Sequence, residues 1–147
     1  MTPGKINDRV LIERLLWIKN MKAAIEDLPL HDKDEFLGNP HNVAAAESYL
    51  RRALEALFDI GRHILARKFA YPAAEYKEIA AGLFEKKVLT RREADLLRQM
   101  AGYRNRMVHF YHEISPEELL QICVHHLDEI ELLSRRLVTR VRHPKKG

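Results

Sequence analysis

The sequence predicts an all-α bundle of about five helices, and three observations carry that expectation. Only six glycines and six prolines interrupt 147 residues. Leu, Ala, Arg and Glu, which favour helix, recur along the whole chain. Apolar residues return at three- and four-residue intervals, the period of a helix that buries one face. A chain of this length suits one domain, residues 1–147, because one core commonly serves about 100 to 150 residues.

The elements follow in order. Ile6, Val10, Leu11, Leu15, Ile18, Met21, Ile25 and Leu28 form the first amphipathic series, and Pro29 stops it. Residues 30–39 are polar and hold Gly38 and Asn39, so a connection with one short turn belongs there. From Pro40 to about Phe69 a long helix runs through Val43, Ala46, Tyr49, Leu50, Ala53, Leu57, Ile60, Ile64 and Leu65, weakened but not broken by Gly61. Pro72 suits the first position of a third helix that ends near Lys86. Thr90 and Glu93 have the spacing of a capping box and start a fourth helix that reaches Val108. Ser115, Pro116 and Glu118 repeat that signal before a fifth helix from Leu119 to Val141, and a basic tail follows from about residue 141.

Composition narrows the function. The longest apolar stretches fall short of the roughly 18 residues a membrane span needs, and no signal-peptide core opens the chain, so a cytoplasmic protein with no membrane association is expected. Cys123, the single cysteine, sits in an apolar series and reads as a buried thiol. Cations cluster in two places: Arg91, Arg92, Arg98, Arg104 and Arg106, and then Arg135, Arg136, Arg140, Arg142, Lys145 and Lys146. Clusters of this kind either attract polyanions in a salt-dependent way or form a solvated helix face. A metal site is not expected, because no Glu-x-x-His occurs, the cysteine is single, and the adjacent His125 and His126 point to different helix faces.

The chemistry concentrates in Arg104-Asn105-Arg106-Met107-Val108-His109-Phe110-Tyr111. A guanidinium is charged and forked to hold phosphate oxygens, and an imidazole titrates near about pH 6.5 and can serve as general acid or base. On one continuous helix His109 would lie about 140° around the axis from Arg104, while Tyr111 would share the Arg104 face. Either the helix unwinds near His109, or a site combines residues from two copies of the chain. On spacing alone, the preferred reading of Arg104 and His109 is a surface cation and a helix C-cap, and of Tyr111 a core or interface tyrosine.

The run RNRMVHFY, preceded by Glu55-Ala-Leu-Phe-Asp59-Ile-Gly-Arg-His63 and followed by a Ser-Pro-Glu-Glu helix start, resembles the HEPN superfamily, and within it the HepT-like toxins. The family pattern of arginine, four residues, histidine, one residue and tyrosine is met by Arg104, His109 and Tyr111, and Asn105 matches the polar residue that commonly follows the arginine. Phe110 stands where members often carry a small residue, which bears on the shape of the cleft mouth. The resemblance implies a homodimeric helical bundle in which two copies of the motif line a cleft, acting as a metal-independent endoribonuclease on RNA. Arg104 and His109 would be catalytic and Asn105 supporting. An MNT-type nucleotidyltransferase antitoxin would use ATP to place AMP on Tyr111 and silence the toxin, by bulk and by added phosphate charge. The rival from another class is a non-catalytic nucleotide-binding or interaction module that docks the nucleotidyltransferase. Glu55, Asp59 and His63 recur every four residues as a polar stripe, read either as a solvated face paired with Arg51, Arg52 or Arg62 or as support beside the cleft.

Overall fold

In the computed structural model, residues 5–109 and 114–142 are described, the side chain of His109 excepted. Among them the chain is all-helical, with seven helices: α1 Asp8–Glu26, α2 Lys33–Gly38, α3 Pro40–Phe69, α4 Tyr76–Glu85, α5 Arg91–His109, α6 Pro116–His125 and α7 Leu127–Arg142. The all-α expectation holds, and two helices exceed the expected five.

The starts are set by caps that can be read from the sequence. Asn7 Oδ1 accepts the Val10 N–H at 3.3 Å, Asp32 Oδ1 accepts the Glu35 N–H at 3.1 Å, and Asn39 Oδ1 accepts the His41 N–H at 3.0 Å. The last of these opens α3, with Pro40 in its first turn, where a missing N–H costs nothing. The Thr90 capping box closes in both directions: the Glu93 N–H donates to Thr90 Oγ1 at 3.2 Å and the Thr90 N–H donates to Glu93 Oε1 at 2.9 Å. The Ser115 signal closes in one direction, through the Glu118 N–H at 3.1 Å. The Glu118 carboxylate is engaged elsewhere.

Three expectations are corrected. The turn expected within 30–39 is a short helix, α2, which inserts the fully buried Phe36 into the core. The third helix begins at Tyr76 and not at Pro72, because residues 70–75 are held as a strap. Arg62 Nη2 donates to the Ala74 carbonyl at 3.3 Å, the Ala74 N–H donates to Glu78 at 3.2 Å, and Ala73 is buried. The single fifth helix is broken at His126 (φ −119°, ψ −3°) into α6 and α7. No glycine or proline marks that break; the His126 ring lies against Tyr103, 5.8 Å between centroids, and Nδ1 sits 3.3 Å from Glu129.

Helix α3 is the central element and contacts each of the other six. It buries a continuous series that includes Leu50, Leu54, Leu57, Phe58, Ile60, Ile64 and Leu65. Side chains of that size contribute roughly 1.5–3 kcal/mol each when fully buried, so the α3 face outweighs any single polar contact in the bundle. Helix α5 packs beside α3 and α4, and this places Arg104 opposite the polar stripe of α3. Cys123 is buried as expected, and burial pushes its thiol up to about 12. Among the described residues no helix is long and apolar enough to cross a membrane.

Candidate functional site

Helix α5 is helical through His109, so among the described residues the chain does not unwind before the histidine. Its Cα therefore lies about 140° around the axis from that of Arg104. Tyr111 and the side chain of His109 lie outside the described residues. Asn105 is half-buried on the same helix.

Arg104 faces inward. Its side chain is 19% exposed, and its Nη2 donates to Glu55 Oε2 at 3.0 Å. Its guanidinium carbon stands 4.6 Å from the centroid of the Tyr76 ring, within the range of a cation–π contact. Tyr76 is itself stacked on Phe58, with centroids 4.4 Å apart and planes 9° from parallel. Glu55 uses its other oxygen to accept from Arg51 Nη1 at 3.2 Å. Among the described residues, Arg104 Nε is buried and has no hydrogen-bond partner.

Arg106, two residues on, is held differently. Its Nη1 and Nη2 each donate to Glu118, both at 2.7 Å, the bidentate form that fills the fork. Those bonds hold the Glu118 carboxyl below its ordinary value. The pair ties α5 to the start of α6.

The polar stripe of α3 divides by role. Glu55 meets Arg104; Asp59 lies 3.4 Å from Arg14 Nε and 3.7 Å from Arg62 Nη1; and His63 Nε2 accepts the backbone N–H of Asn7 at 3.0 Å. Burial, with the Arg67 charge second, lowers the His63 pKa and favours the neutral ring that this bond requires. The spacing of the stripe was visible in the sequence, but which member reaches the arginine was not. Tyr76 was missed as a site residue altogether, because at the level of sequence it is one apolar position in a short helix.

The basic clusters are largely paired. Arg136 Nη1 donates to Glu93 at 2.7 Å and Arg140 Nη2 at 3.0 Å, Arg142 lies 3.3 Å from Asp8, and Arg135 lies 4.0 Å from Glu131. Arg91, Arg92 and Arg98 are exposed. Among the described residues no group of three or more His, Cys, Asp or Glu side chains is placed to hold a metal ion.

An all-helical bundle that presents an inward arginine at the end of a long helix, with four residues between it and a histidine, defines a HEPN-type protein. The family model described as Ribonuclease HepT-like matches residues 18–137, and the chain belongs to that family. It is 29% identical over 82 residues to the mRNA nuclease HepT of Shewanella oneidensis, a match that covers 56% of this chain and 62% of that relative's length. Among solved structures, it resembles a toxin–antitoxin complex with AMP-PNP, at a TM-score of 0.77 and 22% identity, over 87% of this chain and 97% of the other. It also resembles a tri-AMPylated Shewanella oneidensis HEPN toxin in complex with MNT antitoxin, at a TM-score of 0.77 and 23% identity, over 87% and 96%. At those identities the structural likeness establishes the fold.

Proposed function

We propose that this protein is the toxin of a toxin–antitoxin pair, an endoribonuclease that cleaves RNA without a metal ion and is silenced by AMP on Tyr111. The observation that carries the reading is the state of Arg104. It is partly buried on α5 and bound through a single nitrogen to a single carboxylate oxygen, while Arg106 beside it has its fork filled. A guanidinium with unfilled donors, on the helix that also carries the family histidine, is equipped to bind a phosphate as charge builds on it.

RNA carries its own nucleophile. The 2′-hydroxyl attacks phosphorus, the P–O5′ bond breaks, and the products are a 2′,3′-cyclic phosphate and a 5′-hydroxyl; no electrons are exchanged. His109 takes the proton of the 2′-hydroxyl or gives one to the leaving oxygen, and Arg104 stabilises the phosphorane. Because α5 keeps its helical geometry between the two residues, we place the complete site in a homodimer, where the motifs of two copies face one cleft. Asn105 orients the substrate or the histidine. An MNT-type nucleotidyltransferase transfers AMP from ATP to Tyr111 and releases pyrophosphate, which puts bulk and negative charge where RNA phosphate binds. The family and the nuclease relative support the ribonuclease reading, and the AMPylated toxin with this fold supports a nucleotidyltransferase partner.

The test is incubation of purified protein, unmodified at Tyr111 by mass spectrometry, with total RNA in EDTA beside His109→Ala. The expected result is discrete fragments with 2′,3′-cyclic phosphate ends from the wild type only. Intact RNA with both proteins would replace the nuclease by a binding module that docks the nucleotidyltransferase.

A further inference from the structure

The motif arginine is not held by its own helix. Its two contacts come from α3 and α4, elements about thirty to fifty residues away in sequence, and they act on different parts of the group. Glu55 takes one Nη2 hydrogen, and Tyr76 supports the flat face of the guanidinium from 4.6 Å. A hydrogen bond to one nitrogen leaves rotation about that bond free, and a ring contact leaves sliding across the ring free. Together they fix both.

Each contact is itself braced. The two Glu55 oxygens are divided between Arg51 at 3.2 Å and Arg104 at 3.0 Å, so the carboxylate cannot turn both oxygens to Arg104 without releasing Arg51. Tyr76 is pinned by its stack on Phe58, a fully buried side chain. Burial, against the Arg104 charge, raises the Tyr76 phenol, so the ring stays neutral across the working range. Arg62, its guanidinium carbon 5.7 Å from the centroid of the same ring, adds a second cation. The residue that begins α4 is thus the one on which Arg104 rests, and α4 begins there because the strap of residues 70–75 ends there.

We propose that Glu55 and Tyr76 are positioning residues for the RNA cleavage reaction: they hold Arg104 in single-point contact, oriented toward the cleft with donors left for a phosphate. The inference rests on the function proposed above and extends it to residues outside the RNRMVHFY run. Arg106 is the internal control, since the bidentate Glu118 pair shows how this fold binds an arginine whose task is to tie helices together. An arginine held so would have to break two short bonds before it could grip phosphate. Holding a catalytic cation in advance lowers the reorganisation needed in the transition state, which appears in kcat more than in KM.

Two readouts on the whole chain test this. The first is the side-chain NMR signal of the Arg104 Nε–H, assigned by its disappearance in Arg104→Lys. In the wild type the buried Nε should give a dispersed signal that exchanges slowly with water. Glu55→Ala and Tyr76→Leu should move it to the position of a free arginine, while Tyr76→Phe, which keeps the ring, should leave it. The second readout is cleavage in EDTA. Glu55→Ala and Tyr76→Leu should lower kcat by about tenfold or more with KM changed by less than about threefold, and Tyr76→Phe should stay near wild type. In an Arg104→Ala background, Glu55→Ala should add no further loss, because it acts through the arginine. An unmoved Nε–H signal in both Glu55→Ala and Tyr76→Leu overturns the proposal whether or not RNA is cut. So does a further loss from Glu55→Ala without Arg104, or an unchanged kcat in both variants. If the wild type cuts no RNA, the nuclease reading falls and the positioning role with it, and a moved signal then marks a structural clasp. Glu55→Gln, which keeps the shape and an acceptor, replaces Glu55→Ala if the latter unfolds, and is expected to give an intermediate signal and rate.

Discussion

The bond from the Asn7 N–H to His63 Nε2 exists only while that nitrogen carries no proton, so it links the start of α1 to pH. Burial, followed by the Arg67 charge, sets the folded pKa below the ordinary 6.5. A depressed value means that the unfolded chain takes up the proton first. The stabilising contribution is therefore whole above about 6.5 and is lost as the pH falls through the folded value. On acidification from pH about 7 to about 5 the wild type should lose urea resistance more steeply than His63→Gln, and the Asn7 amide signal should titrate together with the His63 ring. Parallel slopes for the two proteins would assign the effect to another group. The same residue illustrates the limits of pattern: Glu55, Asp59 and His63 are equally spaced, yet one meets Arg104, one is shared by two arginines, and one accepts a backbone N–H. Arg104 and Arg106 diverge in the same way. Their residue type is identical, and the difference lies in whether α3 or α6 delivers the carboxylate.

Among the elements, α3 was the most legible and α7 the least. Asn39 and Pro40 announce the start of α3, and an unbroken apolar series carries it to Phe69. Gly61, which looks like a weak point in that series, has a packing cause. A Cβ built there would stand 2.7 Å from Ile79 Cγ2 and 3.1 Å from Leu83 Cδ1, so the glycine lets α4 approach α3. Gly61→Ala would gain about 1 kcal/mol in helix propensity and face about 1–3 kcal/mol of overpacking, since Ile79 and Leu83 are fully buried and cannot swing away. The expected net effect is a lower thermal midpoint, with the Tyr76 ring signals shifted because α4 is pushed outward; a higher midpoint would mean that the helices separate at little cost. The break between α6 and α7 was illegible because the apolar period continues through it. Only the packing of His126 against Tyr103 and Glu129 marks the place.

Across the whole molecule, Glu93 ties the start of α5 to α7, more than forty residues further along the chain. One oxygen caps α5 through the Thr90 N–H, and Arg136 and Arg140 reach the same group from α7, with Arg140 Nη1 also donating to the Val88 carbonyl at 3.0 Å. Burial alone would raise this acid, but the hydrogen bonds from Arg140, the Thr90 backbone and Arg136 together bring it down to about 2. A folded value below the ordinary 4.5 gives stability that is complete above about 4.5 and is lost as the pH falls toward 2. Denaturant titrations should show the wild type losing a few kcal/mol across that window, and Glu93→Gln should start less stable at neutral pH and decline less steeply. A wild-type slope retained in Glu93→Gln would move the acid sensitivity to Glu118. The capping half of this cluster was readable from the spacing of Thr90 and Glu93. The arginine half was not, because it spans more than forty residues.

Local rules were enough to give the all-α class, three of the helix starts, the buried cysteine and the run RNRMVHFY with its family likeness, because caps, apolar periods and short motifs are properties of neighbours along the chain. They gave the local pairs of Arg51 with Glu55 and Arg62 with Asp59, but not the partners of charges far apart in sequence. The helix at Tyr76, the bend at His126, the filling of the Arg106 fork by Glu118 and the cradle of Glu55 and Tyr76 around Arg104 all depend on which elements the core brings side by side. An ion pair or a ring contact needs two groups within a few ångströms, and for groups far apart in sequence that proximity arises only once α3 has gathered the other helices around it.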